Sequence, residues 1–143
     1  MATFNKFNDF SEQLARGNQN FASDTYKVAL SNTLPTSANA ALADITQIAA
    51  GNGYTTGGNT TTISISETSG TTTVSGTQVV FTASGGTMAT FRYVVLYNDT
   101  TTTPVNKPLV GWWDYGSGVI LADTETFTVK FSNTTPGAIF TLS

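Results

Sequence analysis

The chain has 143 residues, a formal net charge of -3 and only 10% charged residues, and it contains neither His nor Cys. A chain of this length is expected to form one domain around one core. Its composition excludes disulfides and thiolate metal sites, and its six scattered Lys and Arg residues exclude a continuous basic surface, so we expect no nucleic-acid partner.

Residues 1–20 are predicted to form an N-terminal helical arm, with Thr3 as its N-cap and Gly17 as its end. Four apolar side chains recur at intervals of three, three and four, which places them on one stripe of the helix: Phe4, Phe7, Phe10 and Leu14. Such a stripe needs a partner surface in water. The arm is therefore expected either to dock on its own domain or to pack on a neighbouring subunit.

Residues 21–143 are predicted to form a single β domain. The alternation from Thr25 to Leu30 indicates a strand with one solvent-facing side, and Asn39 is expected to cap a second short helix. Eight further short strands are predicted between turn clusters: 60–66, 71–74, 79–83, 91–98, 109–115, 119–122, 126–132 and 139–142. The fold class is therefore mainly β, an antiparallel β-sandwich or barrel-like domain with a short N-terminal helix and one further short helix.

The most concentrated aromatic feature is the run from Gly111 to Tyr115. On a strand, Trp112 and Trp113 point to opposite faces, so one is expected in the core and the other at the surface. The run is interpreted either as cover for one end of the sandwich or, together with Tyr115, as a stacking platform for a partner side chain or a sugar.

The chain is not expected to be an enzyme, because it has no His and no convergent set of catalytic side chains. Its one close carboxylate pair is Asp123 and Glu125, which alternation places on one face of a strand. A glycosidase using Asp123 with Glu125 or Asp114 remains a minor alternative; a polar strand entry beside a turn is the preferred interpretation. No cofactor, metal site or membrane span is expected, because no ligand spacing and no long apolar window occurs in the sequence.

Four segments resemble small structural proteins of tailed bacteriophages: FNKFNDF at 4–10, ADITQIAAGNGYTTGG at 43–58, FRYVVLYNDT at 91–100 and PLVGWWDYG at 108–116. The resemblance implies membership of a virion, with synthesis in the cytoplasm of the host bacterium. It carries no catalytic or ligand residues with it.

These observations predict a non-enzymatic virion structural protein, most concretely a capsid decoration or cement protein. Its expected partners are the major capsid protein and copies of itself, with a trimer as the expected oligomer. The alternative is a tail or fibre module that binds a host glycan or another tail protein. The candidate partner interface comprises Phe4, Phe7, Phe10, Leu14, Trp112, Trp113 and Tyr115.

Overall fold

The computed structural model describes residues 2–134 and 136–143, and it is mainly β. The helical elements are α1 (Asn8–Ala15) and a single 3-10 turn (Leu42–Asp44). The strands are β1 (Asn5–Lys6), β2 (Tyr26–Ser31), β3 (Asn59–Thr61), β4 (Ile63–Thr68), β5 (Thr71–Gly76), β6 (Val79–Thr82), β7 (Phe91–Asn98), β8 (Leu109–Val119), β9 (Thr126–Val129) and β10 (Gly137–Leu142). The predicted fold class is confirmed.

The strands form three antiparallel sheets. The largest has the order β1-β8-β7-β2-β3, and one of its faces is covered by a three-stranded sheet, β10-β5-β4, and a two-stranded sheet, β6-β9. The main core lies between these layers and joins Val28 and Val94 of the large sheet to Val74, Phe81 and Val129 of the smaller ones. This arrangement is a β-sandwich whose second layer consists of two separate sheets.

The other face of the large sheet is covered by the segment that follows β2. Leu42 and Ile45 of this segment pack with Ala29, Val95 and Tyr97 in a second buried cluster. Strand β2 is therefore buried on both faces, and the prediction that one of its sides faces solvent is wrong. The alternation in the sequence could not show that a distant loop covers the second face.

The N-terminal helix begins at Asn8, so the prediction of Thr3 as its N-cap is wrong. Strand β1 pairs with β8, and Phe7 occupies the N-cap position with an extended backbone (φ -75°, ψ 144°). The predicted end is confirmed: Gly17 adopts a φ of +81°, and its N–H donates to the carbonyl of Leu14 at 3.2 Å. Phe4 therefore lies outside the helix.

The second predicted helix shortens to the 3-10 turn. The Asp44 carboxylate accepts hydrogen bonds from the N–H groups of Ala40 and Ala41 at 2.9 and 3.1 Å, which closes the turn and lowers the pKa of Asp44. The Ile48 N–H donates to the Leu30 carbonyl of β2, so it makes no hydrogen bond of the helical i to i−4 kind.

Seven of the eight further predicted strands correspond to observed ones. The exception is 119–122, because β8 continues to Val119 and the residues after it form no ladder. Strand β7, which contains the apolar run from Phe91, is central in the large sheet, because it lies between β8 and β2.

A buried polar network joins the N-terminal segment to the end of β7. Asn98 is fully buried; its amide donates to the Asp24 carboxylate at 2.7 Å, and its side-chain oxygen accepts from the N–H groups of Thr100 and Thr101. Tyr26 donates to Gln19 at 3.0 Å in the same network, and burial, with the charge of Asp24, raises the pKa of Tyr26. In the structure residues 2–20 thus pack on the domain, and their separation as an arm stays a prediction.

Candidate functional site

The N-terminal members of the predicted interface are divided by the fold. Phe7 and Phe10 are buried within the chain, whereas Phe4 and Leu14 are partly buried. Phe7 lies against Trp112, with ring centroids 4.7 Å apart, on the side of the second cluster. A partner contact through Phe7 or Phe10 would require these rings to leave the core.

Phe4 occupies a position that only glycine permits on the neighbouring strand. A Cβ atom at Gly111 would lie 2.1 Å from Cε2 of Phe4, so the ring rests directly on the β8 backbone. From there it contacts Trp113, at 5.3 Å between centroids, and Phe140, at 6.2 Å. The ring therefore closes the edge of the main core.

The two tryptophans point to opposite faces of β8, as predicted. Trp113 is buried in the main core, 5.3 Å from the ring of Phe131, whereas Trp112 is partly buried beside the second cluster. Of the aromatic run, Tyr115 is the member that solvent reaches most, with 57% of its surface exposed. The exposed platform is therefore Tyr115 and not the tryptophan pair.

Tyr115 is exposed because it lies at the start of a bulge in β8. Phe91 pairs with Val119, and Tyr93 pairs with Asp114. The two paired residues are five positions apart in β8 but only two positions apart in β7, so β8 contains extra residues that have no partner. Bulges of this kind redirect a side chain and interrupt pairing. Gly116 within the bulge has a φ of +102°, a conformation that glycine adopts without steric cost.

An ion pair fixes the bulge. The Arg92 Nε and Nη2 groups donate to the two carboxylate oxygens of Asp114 at 2.8 and 3.1 Å, and the Gly116 N–H donates to the same carboxylate at 2.8 Å. The hydrogen bonds from Arg92 and Gly116 lower the pKa of Asp114, and the bond to Asp114 raises the pKa of Arg92. The pair therefore stays ionised, and its two charges cancel beside Tyr115.

Tyr115 lies at the border of an open groove of about 760 Å³ between β8 and β9. Its apolar lining includes Trp113, Phe127 and Val129, and the ring of Phe127 meets that of Tyr115 edge-on at 5.3 Å. Its polar lining comprises Asp114, Thr126, Thr128 and Lys130. A volume of this size falls within the range of ligand-binding clefts, and the lining combines aromatic surface with hydroxyl groups.

The remaining candidate acids hold turns. Asp123 accepts a hydrogen bond from the Gly85 N–H at 3.0 Å, and Glu125 accepts one from the Ala122 N–H at 2.7 Å. Both precede β9 and do not share a strand face, so the predicted placement of this pair is wrong. Thr124 between them has a φ of +76°, which breaks the alternation on which that prediction rested.

Two features of the groove were missed by sequence reasoning. The Arg92–Asp114 pair joins residues 22 positions apart on neighbouring strands, and Phe127 lies in the predicted strand 126–132 with no local signal that its ring meets Tyr115. The one available signal was the glycine pair at 116 and 118, which is unusual inside a strand and indicates a bulge.

Within residues 2–134 and 136–143, no group of three or more acidic side chains is arranged to hold a metal ion. No helix in the same part of the chain has the length and apolar character needed to cross a membrane. The site is thus a groove on a mainly β domain. We found no match to the chain among protein-family models, curated proteins or solved structures.

Proposed function

We propose that this protein is a non-enzymatic structural component of a bacteriophage particle, and most concretely a decoration or cement protein on the outer capsid surface. The sequence resemblance supports membership of the particle. The observation that carries the binding role is the groove between β8 and β9, where the Arg92–Asp114 pair holds Tyr115 at the surface beside Phe127.

This geometry suits adhesion to another protein. A rigid aromatic ring beside an apolar cleft is the kind of anchor that dominates many protein interfaces, because it buries a large area while losing little conformational freedom. The Asp114 carboxylate at the rim is already paired with Arg92, so a partner covers Asp114 without leaving an isolated carboxylate. On a capsid, linked copies of the protein would make several modest contacts of this kind at once, and this multivalency increases the overall avidity.

The proposal is tested with purified particles of the encoding phage that lack this chain, to which purified protein is added back. We expect the protein to sediment with the particles and cryo-EM density for it to lie on the capsid faces. We also expect the treated particles to retain their DNA to a higher temperature. In the free protein, light scattering tests the expected trimer.

A matched pair of variants locates the contact. Replacing Tyr115→Ala should weaken binding by about 2 kcal/mol, or roughly thirty-fold, as for an aromatic interface anchor. Leu34 is also exposed, at 60%, but does not line the groove, so Leu34→Ala should bind like the parent protein. Density on the tail, or no density for this chain in the particle, would refute the cement assignment.

The glycan-binding module remains a second candidate because one observation favours it. The groove is lined by the exposed ring of Tyr115 together with Thr126 and Thr128, and sugars are bound by combinations of a flat apolar face and polar groups.

A glycan array of bacterial surface oligosaccharides, followed by calorimetry, tests this candidate. It predicts saturable binding that Tyr115→Ala removes and Leu34→Ala leaves intact. Absence of binding to every bacterial glycan, together with capsid density in the particle, would eliminate it.

A further inference from the structure

The groove is bordered by two strand edges that have free capacity for backbone hydrogen bonds. Among the described residues, β9 pairs only with β6. Strand β8 pairs with β1 at Gly111 and Trp112, and its Val110 carbonyl and Leu109 N–H bond to Phe7 and Ala40, but no second strand pairs with it beyond Trp112. Unpaired strand edges are templates for further strand pairing.

The register shows which backbone groups of β9 face away from β6. The Ala83 N–H donates to the Glu125 carbonyl at 2.9 Å, and the same register pairs Phe81 with Phe127 and Val79 with Val129. Because hydrogen-bonded and non-bonded pairs alternate along an antiparallel ladder, Phe127 and Val129 bond to β6. Thr126 and Thr128 therefore direct their N–H and C=O groups away from β6.

The same reasoning applies to β8. The Phe7 N–H donates to the Val110 carbonyl at 3.2 Å, and Asn5 pairs with Trp112, so Val110 and Trp112 direct their backbone groups toward β1. Because the direction of the backbone groups alternates along a strand, the N–H and C=O groups of Asp114 also point to the β1 side of β8. The pairing with β1 ends at Trp112, so it does not reach Asp114. The groove thus has open backbone groups on both of its bordering strands.

The charge of the groove is not balanced. Asp114 is paired with Arg92, whereas Lys130 is exposed and makes no ion pair with an acidic side chain in residues 2–134 and 136–143. A ligand that fills the groove is favoured when it carries a carboxylate near Lys130.

We propose that the groove binds an extended segment of a partner protein by addition of a strand to the edge of β9, with an acidic residue of that segment facing Lys130. Alternate side chains of the segment would pack on Trp113, Phe127 and Val129, since successive residues of a strand point to opposite faces. The paired length is about four residues, or roughly 14 Å, because β9 has this length. This inference rests on the proposed function and names the form of the partner.

The test uses two synthetic peptides and the intact protein. Both peptides have seven residues of alternating valine and threonine; one carries a central glutamate and the other a central lysine. We expect the glutamate peptide to bind about tenfold more tightly by calorimetry, and to slow amide hydrogen exchange at Thr126 and Thr128.

Backbone pairing is tested from both sides. Thr128→Pro removes an N–H that points away from β6, a position at which edge strands accept proline, and should weaken binding about tenfold. Thr128→Ala removes the same hydroxyl but keeps that N–H, so Thr128→Pro should bind about tenfold more weakly than Thr128→Ala. Methylation of the peptide nitrogens tests the same bonds with unaltered protein, which covers the case in which Thr128→Pro does not fold.

Equal binding of the two charged peptides, undiminished binding of the methylated peptide, or no binding at about millimolar concentration would overturn the inference. A dimer of the free protein that Thr128→Pro dissociates would also overturn it, because the edge would then pair with a second copy. Failure of the peptide tests leaves the particle assignment intact, since cryo-EM tests that separately. An exposed groove in particle-bound protein would reject both this inference and the groove as the capsid contact, but not the presence of the chain in the particle.

Discussion

Gly111→Ala is predicted to destabilise the protein mainly because the new methyl group would overlap the ring of Phe4. The added Cβ would lie 2.1 Å from Cε2 and 2.7 Å from Cζ of Phe4, and 2.8 Å from the Asn5 carbonyl oxygen. The partly buried ring of Phe4 can move, but it then loses its contacts with Trp113 and Phe140. Overpacking of this kind costs about 1–3 kcal/mol. At about 2–4 °C per kcal/mol for a domain near this size, a loss of 2 kcal/mol lowers Tm by about 4–8 °C.

A double-mutant cycle separates the ring contact from other causes. Phe4→Ala alone should cost about 2 kcal/mol, below the range for a fully buried phenylalanine because the ring is only partly buried. Adding Gly111→Ala to Phe4→Ala should cost about 1 kcal/mol less than it does in the parent protein, because the ring is already absent. Urea unfolding followed by circular dichroism measures each corner of the cycle.

The control lies on the same strand. At Gly118 the nearest atom to an added Cβ is Cγ2 of Thr90, at 3.1 Å, and the position is exposed. Gly118→Ala should therefore change the free energy of unfolding little. Additive effects of Phe4→Ala and Gly111→Ala, or equal costs at the two glycines, would refute the reasoning that the Phe4 ring rests on β8.

Two further predictions concern buried and ionised polar groups. Asn98→Ala should lower the free energy of unfolding in urea by about 2–4 kcal/mol, because the Asp24 carboxylate and the N–H groups of two loop residues lose their hydrogen-bond partner. Asn106 is exposed, so Asn106→Ala should be near neutral. Equal effects of the two variants would contradict the role of the network. In acid, Tm should be constant above about pH 5 and fall below about pH 4, because carboxylates whose folded pKa is lowered contribute their full stability above their unfolded pKa, near 3.9, and lose it as the pH falls through the folded pKa. Although partial burial opposes the shift, Lys107 and Lys27 lower the pKa of Asp99; Asp114 and Asp44 also have lowered pKa values. A Tm that rises as the pH falls through this range would contradict the assignment.

The strand content and the position of most strands were determined by the sequence itself. Alternation and turn clusters are local signals, and they located β7 and the strands β4, β5 and β6, but not their pairing, because each strand shows its own pattern of side chains. The opposite orientation of Trp112 and Trp113 followed from the same local geometry. Gly17 marked the helix end because few other residues adopt its conformation.

The exposure of each side chain was decided only by the tertiary structure. The apolar spacing from Phe4 to Leu14 fits a helix, but the pairing of β1 with β8 takes Phe4 out of it and places the ring on Gly111. The groove likewise depends on a bulge and an ion pair between neighbouring strands, and on the separation of β8 from β9. These features join residues distant in sequence, and a local pattern carries no information about which distant backbone lies beside it. The sequence therefore identified an aromatic run suited to binding, and the fold decided that Tyr115 is the exposed ring beside the groove.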